Sequence, residues 1–239
     1  MQRKLASTLL VIACVTLLSG IGFASACPSG TMQNYIGTGF SCTINDKTFS
    51  NWFYEGTANP PNFALPPGSV GVVPQTTMGS EGFRFSAPWD VSTLSGVLSM
   101  DSDIDYGITV NPGGALITDV SAAIGGFNVG GTGSLEVDET LCIGALFGAN
   151  GSCSGTMRNL RVFSNSEGTV AFNEISFAGV TEVGVEKDIL LDAGTNGDAD
   201  LSLVLNNVSS GVTPEPGSIL LFGSGALALA GVLRRKLKH

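Results

Sequence analysis

Histidine is almost absent from this sequence: one occurs in 239 residues, and it is the last, His239. That excludes Ser-His-Asp and Cys-His catalysis and His-ligated zinc from the body of the chain. Basic residues are scarce there too. The stretch from Cys27 to Pro216 carries only Lys47, Arg84, Arg158, Arg161 and Lys187 against all twenty acidic residues, a net of −15. Such a surface repels phosphate backbones, so nucleic acid is not an expected partner. No Cys-x-x-Cys pair occurs, which argues against a redox site. No capped amphipathic helix can be read between the two ends, Ser121–Ile124 being at most a turn, and no internal repeat is visible.

The remaining basic residues cluster at the termini. Arg3 and Lys4 precede an apolar run from Leu5 to Leu18, followed by Ala24-Ser25-Ala26. A basic start, an apolar centre and small residues at Ala24 and Ala26 are the parts of a secretory signal peptide. Residues 1–26 are therefore expected to be removed by signal peptidase, leaving Cys27 first. Lipidation of Cys27 is the competing reading. Ala24 stands where that signal prefers a large aliphatic residue, and lipidation would take Cys42's nearest partner.

At the other end Pro214-Glu215-Pro216 is followed by a Gly/Ala-rich apolar stretch to Leu233 and then by Arg234-Arg235-Lys236. The stretch is just long enough for a membrane-spanning helix, and the basic cluster assigns its far end to the cytoplasm. The two prolines hold Glu215 in extended backbone outside the membrane. These three parts, in this order over residues 214–239, resemble the PEP-CTERM sorting signal. The resemblance implies a Gram-negative exported protein processed at Pro214-Glu215-Pro216 by the membrane enzyme exosortase. The chain would pass through the inner membrane with a periplasmic ectodomain and then reach the cell surface or exterior. The family is associated with exopolysaccharide and biofilm, which makes extracellular polysaccharide the implied partner. An ordinary tail anchor is the plainer alternative.

Residues 27–206 are expected to form one ectodomain, joined to the signal by a linker at 207–213. Its four cysteines are even in number in an exported chain, which favours disulfides. Three pairings are open; proximity favours Cys27–Cys42 and Cys142–Cys153, the latter around an Asn150-Gly151 turn. Short runs alternate with period two, among them Tyr106–Val110, Met157–Phe163, Val170–Phe177 and Leu201–Leu205, with glycines between them. The pattern predicts an all-β sandwich of jelly-roll or immunoglobulin-like type. Asn45-Asp46 reads as a turn, Asn59–Gly68 as a loop of polyproline character, and Trp52-Phe53-Tyr54 as core. The segment Cys42–Tyr54 also resembles the N-terminal part of PEP-CTERM ectodomains, implying a shared fold and no known activity.

Two acidic runs resemble the front half of calcium loops: Asp101, Asp103 and Asp105, and Asp192, Asn196, Asp198 and Asp200. Neither has the closing Glu of an EF-hand, and solvated acidic turns are the plainer reading; no cofactor beyond calcium is implied. With histidine excluded, catalysis would need paired carboxylates, as in glycoside hydrolysis. Glu81, Asp90, Glu174 and Glu182 are available, and nothing in the sequence pairs them. Trp52, Trp89, Tyr54 and Tyr106 could form a sugar-stacking platform, or simply core. The expectation is a non-enzymatic surface or matrix protein; the alternative is a carboxylate-dependent glycan-active enzyme or carbohydrate-binding module. A groove holding two acids beside exposed aromatics would mark the enzyme.

Overall fold

A computed structural model describes residues 25–77 and 80–211, and they form a β-sandwich. In chain order the elements are β1 (Ser25–Ala26), β2 (Gly30–Thr31), the single turn α1 (Met32–Tyr35), β3 (Cys42–Ile44) and β4 (Lys47–Asn59). Then come β5 (Gly71–Thr77), β6 (Ser80–Thr93), β7 (Ser99–Val110), β8 (Ile117–Gly131) and β9 (Ser134–Ile143). The last are β10 (Thr156–Asn165), β11 (Gly168–Val170), β12 (Phe172–Val180), β13 (Glu182–Asp192) and β14 (Gly197–Ser210). The larger sheet runs β1-β3-β4-β7-β13-β9-β10-β11 and the smaller β12-β8-β14-β6-β5-β2. All pairings are antiparallel except β1 with β3. The final two strands enter the middle of both sheets, β13 between β7 and β9 and β14 between β8 and β6.

Period-two alternation turns one side of each strand inward. In β13 the inward set is Val183, Val185, Lys187, Ile189 and Leu191; in β9 it is Leu135, Val137, Glu139 and Leu141. At one end an aromatic cluster fills the space between the sheets. Phe49 meets Phe83 edge-on at 4.8 Å, and Trp52 stacks on Tyr106 at 4.7 Å. Phe49 and Trp52 both face this cluster because β4 carries a bulge between Ser50 and Phe53, with Asn51 at φ 58°. One extra residue there changes which side chains turn inward.

Several features depart from the sequence expectation. The linker does not begin at Asn207, since β14 continues to Ser210 with Asn206 and Val208 buried. Leu201 and Val204 both face inward, so the alternation changes phase, opposite a kink in β8 at Gly126 (φ 60°). A strand read without that phase change runs out at Leu205. Ser121–Ile124 belongs to β8, where the strand's pairings on both sides override the weak β propensity of its alanines. The proline-rich loop makes two 3₁₀ turns, Pro61–Phe63 and Pro67–Ser69, each started by proline. Asn45 does make the turn between β3 and β4 (φ 52°). The buried Lys47 ammonium is held there by Asp46 Oδ1 at 2.6 Å and the Ala115 carbonyl at 2.8 Å.

The cysteines join as proximity favours, Cys27 with Cys42 and Cys142 with Cys153. Loops of this size gain about 3 kcal/mol each from closure. The second disulfide holds the β9–β10 connection, in which Asn150 and Gly151 take left-handed conformations (φ 63° and 67°). They lie in a 3₁₀ turn inside a longer loop, so the Asn150-Gly151 turn is not that of a tight two-residue hairpin.

Candidate functional site

On the outer face of the larger sheet, the strand register aligns acids in rows. Glu55 of β4 stands opposite Asp103 of β7, which faces Asp188 of β13, then Asp138 of β9 and Arg161 of β10. The next row is Phe53, Asp105, Glu186, Thr140 and Asn159. On the other side lie Asp101 and Glu136. Eight carboxylates thus share one sheet face with Arg161, which pairs with Glu136 and lies 3.8 Å from Asp138.

The β9–β10 loop folds back over this face and makes a wall. It can approach because Gly107 and Gly184 have no side chains. A Cβ on Gly107 would stand 2.9 Å from Leu146, and one on Gly184 2.7 Å from the Phe147 ring. The Gly184 N–H also donates to the Ala145 carbonyl at 3.0 Å. Between this wall and Phe53 lies a groove of about 440 Å³, with Asp105 and Glu186 among its lining residues. It continues into an open polar depression of about 430 Å³ lined by Asp103, Asp138, Thr140, Asn159 and Asp188.

Burial, with crowding of like charges added to it, raises the pKa values across this face. Burial, then the charges of Glu186 and Asp103, pushes Asp105 up to about 7. Asp138 and Asp188 rise to about 6, burial again leading; neighbouring Glu136 adds to Asp138, and Asp101 adds to Asp188. Asp101, Asp103 and Glu186 are raised in the same direction, chiefly by burial. Asp105, Asp138 and Asp188 thus retain protons above the ordinary carboxylate range.

The structure regroups the expected calcium residues. Oxygens of Asp101 and Asp103 converge with Asp188 to within 4.8 Å, while Asp105 pairs in register with Glu186. The second run separates: Asp192 accepts from the Gly194 N–H at 2.7 Å, and Asp198 from Asn128 at 3.0 Å. Asn196 lies in the turn between β13 and β14, and Asp200 stands across from Asp90. Among the described residues this run forms no cluster of three carboxylates.

The candidate acids stay apart. Glu81 is buried and accepts from Asn45 at 3.1 Å; Asp90 is exposed on the smaller sheet; Glu174 lies on β12 of the smaller sheet and Glu182 on β13 of the larger. The aromatic platform is core instead. Trp89 and Tyr106 are buried, Trp52 stacks on Tyr106, and the Tyr54 hydroxyl donates to the Leu65 carbonyl at 2.9 Å. The exposed aromatic beside the groove is Phe53, expected inside with its neighbours and in fact 47% exposed. The β4 bulge turns Trp52 and Tyr54 in and Phe53 out. The available sequence signal was the alternation of Glu186 and Asp188 in β13, which matches Asp101-x-Asp103-x-Asp105 in β7.

Ala26 pairs with Thr43 in the short edge strand β1, so cleavage after it would remove β1. Ala24, Pro214, Glu215, Pro216 and the basic stop Arg234, Arg235 and Lys236 lie outside the described residues. The same holds for the apolar segments of both ends. Among the described residues no helix is long and apolar enough to cross a membrane.

Residues 212–236 match the family model for the PEP-CTERM protein-sorting motif. The match begins just after β14 ends at Ser210, so the sandwich and the sorting signal abut. No curated protein matches the chain. Among solved structures, TmCBM61 in complex with β-1,4-galactotriose is similar at 11% identity over 66% of this chain and 88% of that one, with a TM-score of 0.31. The enzymatically active domain of tailspike protein 4 from bacteriophage CBA120 shares 13% identity over 65% and 19%, with a TM-score of 0.27. A xylan-binding domain from CBM 22 shares 13% over 80% and 99%, with a TM-score of 0.19. The chain carries the sorting motif.

Proposed function

From that motif and the surface it delivers, we propose that this is an exported, exosortase-processed protein of the cell surface or matrix. Its acidic groove binds neutral extracellular polysaccharide. Signal peptidase removes residues 1–26, and exosortase acts at Pro214-Glu215-Pro216, with the inner membrane as the transient anchor. The observation that carries the export reading is the motif match at residues 212–236. The groove supports the ligand class. Phe53 offers an apolar ring to a sugar face, and the carboxylates beside it accept hydrogen bonds from hydroxyl groups. The net charge of −15 disfavours polyuronates and other anionic polymers.

Affinity electrophoresis of the purified protein in gels containing a neutral glucan, a neutral galactan or a polyuronate tests this. Retardation is expected in at least one neutral gel and not with the polyuronate. Phe53→Ala should weaken it about tenfold, while the melting temperature stays within about 2 °C because the ring is exposed. Equal mobility of wild type and variant in every gel, or retardation by the polyuronate alone, overturns the groove assignment.

A second reading is favoured by one observation. Asp105, its pKa near 7, faces Glu186 across neighbouring strands beside Phe53. A protonated acid next to a second carboxyl is the equipment of a glycosidase. New reducing ends appearing in the bound polymer, and lost in Asp105→Asn, would replace binding with catalysis.

A further inference from the structure

A polar cluster in the dry core is not used by the groove. Lys187 of β13 and Glu139 of β9 point inward from the larger sheet, and Asn206 of β14 points inward from the smaller one. Their exposures are 1%, 0% and 1%. The Lys187 ammonium touches Glu139 Oε2. The Asn206 Nδ2 donates to both Glu139 oxygens, at 2.8 and 3.0 Å, and to the Ser121 carbonyl at 3.0 Å. The buried Tyr106 hydroxyl donates to Asn206 Oδ1. One carboxylate therefore holds an amine and a carboxamide together, and the carboxamide oxygen has its own donor.

An amine, a carboxamide, a carboxylate touching both and a hydroxyl on the carboxamide oxygen are the groups that acyl transfer uses. We propose that Lys187 and Asn206 become joined by an intramolecular isopeptide bond, with Glu139 carrying the proton and Tyr106 stabilising the oxyanion. Glu139 Oε2 takes a proton from the Lys187 Nζ, which cancels two charges that the core penalises and leaves a neutral amine. The Nζ lone pair attacks Cγ of Asn206, and negative charge develops on Oδ1 against the Tyr106 hydroxyl. Glu139 returns its proton to Nδ2, which it already contacts; the Cγ–Nδ2 bond breaks and ammonia leaves. The Nζ–Cγ bond forms, and the surplus proton of Nζ passes back to Glu139 and out with the ammonia. Nothing is oxidised or reduced. Burial of the partners side by side supplies the high effective concentration that an unactivated amide needs. The product ties the central strand of one sheet to the central strand of the other.

Peptide mass spectrometry of the natively processed protein tests it. Four aspartates, Asp188, Asp192, Asp198 and Asp200, separate the two residues. An Asp-specific digest is expected to yield a branched peptide containing Lys187 and Asn206, lighter by one ammonia than its two arms. Trypsin should no longer cleave after Lys187. Linear peptides of unaltered mass, with normal cleavage after Lys187, overturn the proposal. Glu139→Gln should leave the arms unlinked, and a branched peptide at wild-type yield in that variant would refute the role of Glu139. Lys187→Arg keeps a cation in the core and removes the bond; its Tm is expected to fall by about 10 °C. Should either variant fail to fold, the wild-type digest decides alone.

Discussion

The domain is expected to lose stability as the pH rises from about 5 to about 8, the reverse of a protein held by carboxylate salt bridges. The cause is the outer face of the larger sheet. Asp105 keeps its proton in the folded state up to about pH 7, and Asp138 and Asp188 up to about 6, while unfolded aspartates have lost theirs near 3.8. Between those values the folded state binds more protons than the unfolded one, so lowering the pH favours folding. Raising it ionises groups already crowded by Glu186, Asp101, Asp103 and Glu136, and the repulsion appears in full. Asp46 is shifted the other way, and its contribution is lost only in more acid solution, below this range. The acids are partly exposed, so solvent screening reduces the sum to about 3 kcal/mol, or about 10 °C in Tm. Thermal melts at about pH 5 and about pH 8 read it directly. Molar salt should recover only the part of the loss at the higher pH that comes from repulsion, since burial leads the shifts, and should change little at the lower. A flat or rising Tm over this range would show that the face is not crowded as described.

Phe83→Ala should cost about 4 kcal/mol. The ring is fully buried and meets Tyr35, Phe49, Trp52, Phe85 and Tyr106, with its closest centroid 4.8 Å away on Phe49. Removing it takes a shared partner from rings that belong to both sheets and to α1. Neighbouring strands fix the positions of the others, so the space cannot collapse fully and a cavity term adds to the lost transfer energy. Denaturant unfolding should show the midpoint displaced with little change in slope. Phe53→Ala, on the outer face of the larger sheet, should leave that midpoint nearly unchanged. The contrast separates an interior aromatic from one presented to a ligand.

The sequence made some of this legible because its signals are linear. Basic, apolar and small residues in a fixed order are read directly, as are Pro214-Glu215-Pro216 and the arginines beyond it. Period-two runs with glycine between them announced the sandwich. The groove was harder to read because its rows cross β7, β13 and β9, strands adjacent in space and far apart in the chain. Its wall depends on two glycines that match the loop only after folding. Phe53 was hidden between Trp52 and Tyr54, and a single bulge residue separated it from them. The core cluster did leave a trace. Lys187 occupies the apolar phase of Val183, Val185, Ile189 and Leu191, and Glu139 that of Leu135, Val137 and Leu141. Charges in the inward phase of two strands are out of place unless they meet, and a single chain does not say that they do.

The proposed function requires that the tail deliver the acidic sandwich outside the cell. Fractionation of exosortase-bearing cells tests that most directly, comparing the natural chain with one lacking Pro214, Glu215 and Pro216. The natural chain is expected at the surface or in the medium, shortened at its C-terminal end. The deletion variant should remain full-length beyond its signal peptide and stay in the inner membrane, its sandwich melting as before, because β14 ends at Ser210. Release of the variant at the natural rate and size would contradict the account.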